Sequence, residues 1–326
     1  MSGTKRTDIA ILFENADWQT PLFEALDRRG IDYQKIDLKV GFLRDDQVPK
    51  SRVYFNQASP SAYVRGTGRA VPFALELLDY LEGKGAKVLN GVRAFRLELS
   101  KNSQIRIMRD LGIDCPRSVV FNSVDSLDSL REGTLPFSFP AILKPNQGGS
   151  GARMYRVDSL EQLRSLLDSN PELWEPDPVM LLQEELLPKD SRQGIVRIEY
   201  LGGKFLYAMR VVTNGAFNLC PSETCNPVSD AATQACSVPS AASPPEFFAF
   251  PEVPGEAVKI GEQLMNTAGL DVGAVEYLET QDGRRVFYDI NANSNLRKPI
   301  GEAFGFDPFE KVVDFLLAEA GAMPRG

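Results

Sequence analysis

Histidine is absent from the 326-residue chain. That removes imidazole acid–base chemistry, His-based triads and His metal ligands, and leaves carboxylates, lysines, arginines, amides, hydroxyls, thiols or a bound cation. Cysteine is scarce. Cys115, Cys220, Cys225 and Cys236 are too few for a disulfide scaffold, and no Cys-x-x-Cys pair marks a zinc site. Positive charge is in deficit, with 36 Lys and Arg against 44 Asp and Glu and a net charge of −8. A nonspecific nucleic-acid binder or an anionic-membrane binder needs the opposite balance, so neither partner is expected. No apolar run approaches the roughly 20 residues of a membrane span. The segment Met1-Ser2-Gly3-Thr4-Lys5-Arg6-Thr7 leads into a short strand and not into an apolar leader, which points to the cytoplasm.

What is present is ordinary globular material, 43% hydrophobic and 25% charged, long enough for two or three compact units. Strand-like runs at 8–13, 31–38, 53–56 and 87–90 alternate with helical spacing at 22–30 and 70–84, predicting an α/β unit with a parallel sheet. A boundary falls near 95–100. Beyond it, helical spacing at 101–111, 126–131 and 159–167 is interleaved with strands at 118–121, 141–145, 154–157 and 179–185. Asp158 or Ser159 caps the helix at 159–167. The runs 195–200, 205–213, 272–279 and 286–291 read as an antiparallel set, with helices at 255–268 and 308–320. Residues 220–245, rich in Ser, Ala, Pro, Thr and Asn, read as a long loop. The expected units are 1–99, 100–182 and 183–326, an α/β domain followed by two α+β units.

Two segments carry chemistry. In Phe287-Tyr288-Asp289-Ile290-Asn291 a carboxylate and a carboxamide sit two apart on a strand and share a face. Glu276 lies on the preceding strand, and Asp282-Gly283 between them is a hairpin signal. Glu276, Asp289 and Asn291 then converge as an all-oxygen set, which suits magnesium beside phosphates. A solvated hairpin with scattered polar residues is the bland alternative. The second segment is Lys144-Pro145-Asn146-Gln147-Gly148-Gly149-Ser150-Gly151. Glycines there let backbone amides approach a polyphosphate. Neither a Walker loop nor a dinucleotide fingerprint fits, because no Gly-Lys-Ser follows and the next segment is a strand. A plain hairpin turn is the competing reading of the glycines alone.

Taken in order, these motifs resemble the ATP-grasp ligases, and within them the group of ribosomal-protein glutamate ligases and related amino-acid ligases. Ser100-Lys101-Asn102 with Gly112-Ile113-Asp114-Cys115-Pro116 is similar to the family's first lysine helix and the turn after it. Ala141-Ile142-Leu143-Lys144 with Gly148, Gly149, Ser150 and Gly151 is similar to its second lysine strand and phosphate lid, which would close over residues 147–153. Gln183, Glu184, Glu185 and Leu186 match the adenine hinge, and Glu276, Asp289 and Asn291 match the metal triad. Ile195 stands where those ligases carry an acidic residue, leaving Glu185 or Asp190 for the ribose.

The resemblance implies an N-terminal α/β domain ahead of two subdomains that clamp ATP, with one or two Mg2+ ions or Mn2+ in their place. It implies Lys101 and Lys144 on the α- and β-phosphates. Arg197 and Arg210 would face the reacting phosphate, and Asn218, Asn293, Arg297 and Lys298 the substrates. Arg65, in the segment 59–68, is a candidate grip for a substrate carboxylate from the N-terminal domain, with a plain turn as the competing reading. The implied reaction is amide formation through an acyl phosphate on an amino acid, small acid or peptide, by a homodimer or homotetramer. A phosphotransferase sharing the nucleotide site, or a non-catalytic nucleotide binder, would use the same motifs.

Overall fold

A computed structural model describes residues 7–46, 50–130, 132–149, 151–175, 177–190, 194–212, 245–294 and 296–321. Ser150, Asn218, Cys220, Cys225, Cys236 and nearly all of the expected 220–245 loop lie outside the described residues. No helix among the described residues is long and apolar enough to cross a membrane.

Strands β1 (Ile9–Phe13), β2 (Tyr33–Asp37), β3 (Val53–Gln57) and β4 (Lys87–Leu89) form a parallel sheet in the order β2-β1-β3-β4. Every residue of β1 and β3 is buried, the pattern of a parallel sheet covered on both faces. Ala10, Leu12 and Tyr54 pack against α2 (Ala70–Gly83) and α3 (Val92–Glu98). The alternate residues Ile9, Ile11, Phe13 and Phe55 pack against α1 (Ala16–Arg28) and the distant α8 (Pro308–Glu319). Helix α1 begins six residues before the expected start because Asn15 caps it and Pro21 sits inside it.

The second sheet is antiparallel, ordered β5-β8-β6-β7 from β5 (Ser118–Phe121), β6 (Ala141–Pro145), β7 (Tyr155–Val157) and β8 (Met180–Glu184). Helix α5 (Leu160–Ser169), capped by Ser159, covers one face. The third sheet, also antiparallel, runs β11-β10-β9-β12-β13 from β9 (Ile195–Leu201), β10 (Lys204–Val212), β11 (Glu246–Ala249), β12 (Val272–Glu279) and β13 (Arg285–Asn291). Its outer face packs on α6 (Gly255–Ala268) and on α4 (Lys101–Asp110). The short α3, β11 and α7 (Lys298–Ala303) had no clear periodic signal in the sequence.

Two elements cross between units. Helix α4 precedes the second sheet in the chain yet packs on the third, and Gln104 fastens it there. Its amide donates to Ile290 O at 2.9 Å and accepts from Ile290 N at 3.2 Å, pairing with β13 as a neighbouring strand would. Helix α8 ends the chain against the first sheet and pairs Arg28 with Glu310 and Arg29 with Asp314. Strand β8, which the expected 182/183 boundary cuts, pairs wholly within the second sheet.

Asn90 joins the first sheet to the third. Its side-chain amide donates to Val272 O at 2.6 Å and Ala292 O at 2.5 Å, and its carbonyl accepts from Asp271 N at 2.9 Å and Val272 N at 3.2 Å. Its φ of 52° is a left-handed conformation that Asn tolerates better than most residues. Asn90→Ala therefore loses four buried hydrogen bonds and adds backbone strain, and should cost on the order of 3 kcal/mol or more in urea unfolding. Asn90→Gly, free of the strain, should recover about 1 kcal/mol of that loss.

Candidate functional site

The inner faces of the second and third sheets enclose a cleft of about 520 Å³. The strand register sets its chemistry. Met209 on β10, Arg197 on β9, Glu276 on β12 and Asp289 on β13 align in one row across four strands. Asn291 lies two residues further along β13 on the same face, as the sequence spacing predicts. A β-bulge shifts the register between Glu276–Asp289 and Tyr277–Phe287 and leaves Tyr288 unpaired. Tyr288 and Asp289, adjacent in sequence, therefore both line the cleft. The Tyr288 hydroxyl donates to Glu276 Oε2 at 3.0 Å.

Arg197 lies between two carboxylates. Its Nε donates to Glu199 Oε1 at 2.6 Å and its Nη1 to Glu276 Oε1 at 2.8 Å, while Ser294 Oγ donates to the other Glu199 oxygen. Burial alone would lower the Arg197 pKa, but the two carboxylates raise it above the ordinary arginine value and the guanidinium stays charged. Its buried Nη2 has no hydrogen-bond partner among the described residues.

Lys101 opens α4, where Ser100 caps the helix by accepting from Ser103 N. Its ammonium pairs with Asp289. The Asn146 carboxamide oxygen accepts from Asn102 N at 3.0 Å and from Ser100 Oγ at 3.2 Å, and Asn146 O accepts from Lys101 N at 3.1 Å. The loop after β6 is thus tied to the first turn of α4, and Lys101 is brought beside Lys144. Lys144 is only 7% exposed. Burial pushes its ammonium down to about 8; the Lys101 charge adds to this and Asp289 opposes it.

Gly148, Gly149 and Gly151 line the cleft next to the N-terminal domain. A Cβ on Gly149 would lie 2.7 Å from Ser61 Cβ, so only glycine allows this approach. Gly151 adopts φ 68°, the left-handed region. Arg153 stacks on Tyr63, its guanidinium 5.3 Å from the ring centre.

The remaining expected site residues divide. Gln183, Glu185, Leu186, Asn293 and Arg297 line the cleft. Glu184 borders it, but its carboxylate is held by Arg117 at 2.5 and 2.8 Å. Glu185 pairs with Arg156 at 3.0 Å. Asn293 spends its amide on Gln57 O at 2.8 Å in the N-terminal domain. Arg297 stacks on Phe247 at 3.3 Å and pairs with no carboxylate among the described residues. Burial and the nearby Arg197 charge lower its pKa to about 10, so it is cationic at neutral pH.

Four expectations are corrected. Arg210 does not line the cleft, because its neighbours Met209 and Val211 take the inner face and strand alternation turns Arg210 outward onto the Phe250 ring at 3.9 Å. Arg65 is buried in an ion pair with Glu14, donates to Ser61 Oγ at 2.9 Å and covers Trp18. Its segment does reach the cleft, through Ser59, Pro60 and Ser61. Asp190 lies outside the cleft lining, beyond the Pro188–Thr280 bridge. Lys298 pairs with Asp307 at 3.2 Å on the surface. The sequence reading had also passed over Glu98, Trp18, Ser61, Phe247 and Tyr288. Tyr288 enters the cleft at a bulge, Glu98, Trp18 and Ser61 at a helix end or a contact between domains, and Phe247 from the four-residue β11, none of which has a clear periodic signal.

The donor set suits a hard cation. Glu276, Asp289 and Asn291 offer only oxygen on one sheet face, and the buried Asn291 Nδ2 has no partner among the described residues, leaving that carboxamide uncommitted. No cluster of three Asp, Glu, Cys or His side chains is positioned to hold a metal among the described residues, so the amide is needed to complete the set.

The sign of the Lys144 shift makes a stability prediction. Between pH about 8 and the ordinary lysine value of 10.5 the unfolded chain holds a proton that the folded chain has released, so stability rises with pH across that window. Lys144→Met should be the more stable protein at pH 7, by up to the order of 3 kcal/mol, and its advantage should narrow between pH 8 and 10.5 in urea titrations.

No family model matches the sequence. Beta-citrylglutamate synthase B of Danio rerio is 21% identical over 245 residues, 75% of this chain and 54% of that protein. The chain therefore spans about half the length of the curated relative it matches. Among solved structures, an ATP-grasp ligase PsnB complexed with a minimal precursor superposes with a TM-score of 0.63 at 18% identity, covering 96% of this chain and 99% of that one. D-alanine–D-alanine ligase of Bacillus anthracis complexed with ATP superposes with a TM-score of 0.65 at 14% identity, covering 97% of each chain. A RimK-domain ATP-grasp protein of Sphaerobacter thermophilus gives 0.64 at 16% identity, over 95% of this chain and 99% of that one. These superpositions run over nearly the whole of each chain: this chain has the ATP-grasp fold.

Proposed function

We propose that this protein is an ATP-dependent carboxylate–amine ligase acting on an amino acid, a small acid or a peptide. One observation carries the reading: Lys101 and Lys144 meet the Glu276–Asp289–Asn291 row in a single cleft, beneath a glycine loop in which Gly149 admits no side chain. The division that goes with it is 1–99, 100–182 and 183–326, with α4 and α8 exchanged across those lines and the last two residues of β8 kept with the second sheet. Solved relatives with the same fold include PsnB with its precursor peptide and AMPPNP, and D-alanine–D-alanine ligase with ATP, which supports a peptide or amino-acid substrate.

The cleft holds more cationic groups than uncommitted anionic ones. Lys101, Lys144, Arg197 and Arg297 face Glu276 and Asp289, while Glu184 and Glu185 are neutralised by Arg117 and Arg156. Such a site favours a polyanion, and Lys101 and Lys144 would neutralise its α- and β-phosphates. Backbone amides of Gly148 and Gly149 would cradle the remaining phosphate oxygens. Glu276, Asp289 and Asn291 would hold magnesium, which supplies charge neutralisation when bound to the nucleotide.

In the first step an oxygen of the acid's carboxylate attacks the γ-phosphorus as the bond to the β-phosphate oxygen breaks, giving an acyl phosphate and ADP. In the second an amine nitrogen attacks the acyl carbon, the C–O bond to phosphate breaks, and phosphate and a proton leave. Positioning and charge dominate both steps, so histidine is not required. Arg197, with its unpartnered Nη2, takes the position on the transferring group that Arg210 cannot reach. Arg297 is placed for a substrate carboxylate, which a guanidinium binds in bidentate fashion.

The test is ADP release with magnesium-ATP over a panel of amino acids, dipeptides and small acids, with product masses. A product lighter than acid plus amine by one water is expected. A product heavier by one phosphate group would replace the ligase with a phosphotransferase. Asp289→Asn should lower the rate roughly 100-fold or more with the fold intact by circular dichroism, and EDTA should abolish it.

A further inference from the structure

Glu98 ends α3, three residues before Lys101, and its side chain lines the same cleft. The residue is 5% exposed. One carboxylate oxygen accepts from Asn293 N at 3.1 Å. The other, Oε2, is buried and has no hydrogen-bond partner among the described residues. Lys101, the nearest lysine, is committed to Asp289, and Arg197 to Glu199 and Glu276. No cation of the protein therefore pairs with Glu98 among the described residues. An uncompensated buried carboxyl costs free energy that a structural role does not explain, and its natural complement is a donor brought by a ligand.

We propose, resting on the ligase reading above, that Glu98 is the subsite for the acceptor's amino group, with Oε2 taking a hydrogen bond from the attacking nitrogen. The Asn293–Glu98 bond is the link that makes the site. The segment following β13 carries Asn293, which fixes Glu98, and four residues on carries Arg297, which is free of any acidic partner among the described residues. One stretch of chain thus sets a group for an amine and a group for a carboxylate in one cleft, the pair that an amino acid or a peptide terminus presents. Burial pushes the Glu98 carboxyl up to about 8, against the Asn293 hydrogen bond and the Lys101 charge. A cationic amine beside Oε2 would supply the missing countercharge. Glu98 is distinct from the phosphate-facing lysines and from the metal-binding row, so its loss should leave the nucleotide half of the reaction standing.

The experiment uses the full chain with magnesium-ATP and the same panel of acids, and compares two nucleophiles. Hydroxylamine is small and largely uncharged at neutral pH, and traps an acyl phosphate as a hydroxamate without a dedicated amine site. The panel's amino acids and dipeptides are the second nucleophile. Glu98→Gln should raise the KM for the amine roughly tenfold or more, with hydroxamate formation and the KM for ATP changed less than about threefold. Glu98→Asp keeps the carboxyl one methylene further away and should fall between; it is the variant to read if the glutamine protein melts below assay temperature. Equal loss of hydroxamate and amide would make Glu98 a structural or nucleotide-site residue and overturn the proposal. Unchanged amine kinetics would overturn it as well. A wild-type protein that forms neither product with any panel member would fail the ligase reading itself, and the amine subsite with it.

Discussion

The buried charge row of the third sheet is the constraint on which the site depends. Arg197 sits between Glu199 and Glu276, both almost wholly buried, and three desolvated charges are tolerated only with close hydrogen bonds between them, Arg197 Nη2 alone lacking a partner among the described residues. Strand register makes them. Arg197 opposes Glu276 across β9 and β12, Glu199 lies two residues along the same face, and Ser294 and Tyr288 supply the remaining donors. Moving β12 by one residue would turn Glu276 to the helix side and strand the arginine. The same alternation sends Arg210 outward and leaves Met209 and Val211 as an apolar wall opposite the second sheet.

Amide side chains hold the three sheets in the arrangement that makes this row useful. Gln104 pairs α4 to β13, Asn146 ties the loop after β6 to the first turn of α4, and Asn90 stitches β4 to β12 and to the strand end after β13. Each is neutral, buried or nearly so, and able to donate and accept together, which a carboxylate cannot do without an added desolvation cost. Through these three residues Lys101 from one element and Lys144 from another meet Asp289. Asn293 continues the pattern, with its backbone on Glu98 and its side chain on Gln57. The cleft is therefore formed by chain segments of all three units.

Much of this was legible in the sequence where a periodic signal exists. Alternating strand and helix runs announced the parallel sheet, and β5, β12 and α6 fall where the sequence spacing puts them. Glu276, Asp289 and Asn291 were found because strand periodicity and a hairpin turn together determine which side chains share a face. Arg210 was placed in the cleft from its position in a motif, when its phase along β10 decides the opposite. Arg65 stood as a candidate for a substrate carboxylate because no local feature reveals its partner Glu14, 51 residues away in the chain. Helix α4 was assigned to the unit that follows it because no local feature says which sheet its apolar face will meet.

The sequence by itself determined the chemical vocabulary and the local geometry. It has no histidine, an all-oxygen triad at strand spacing, two lysines at the start of a helix and on a strand, and glycines where a backbone must come close. These follow from residue type and from backbone periods of 2 and 3.6, which are properties of short stretches of chain. Only the tertiary structure decided which of the charged residues are spent on each other and which have no ionic partner among the described residues. That choice separates Arg297 and Glu98 from Arg65 and Lys298, and it depends on contacts between residues far apart in the chain. Burial and partnering are set by how the sheets pack, and no local spacing records them.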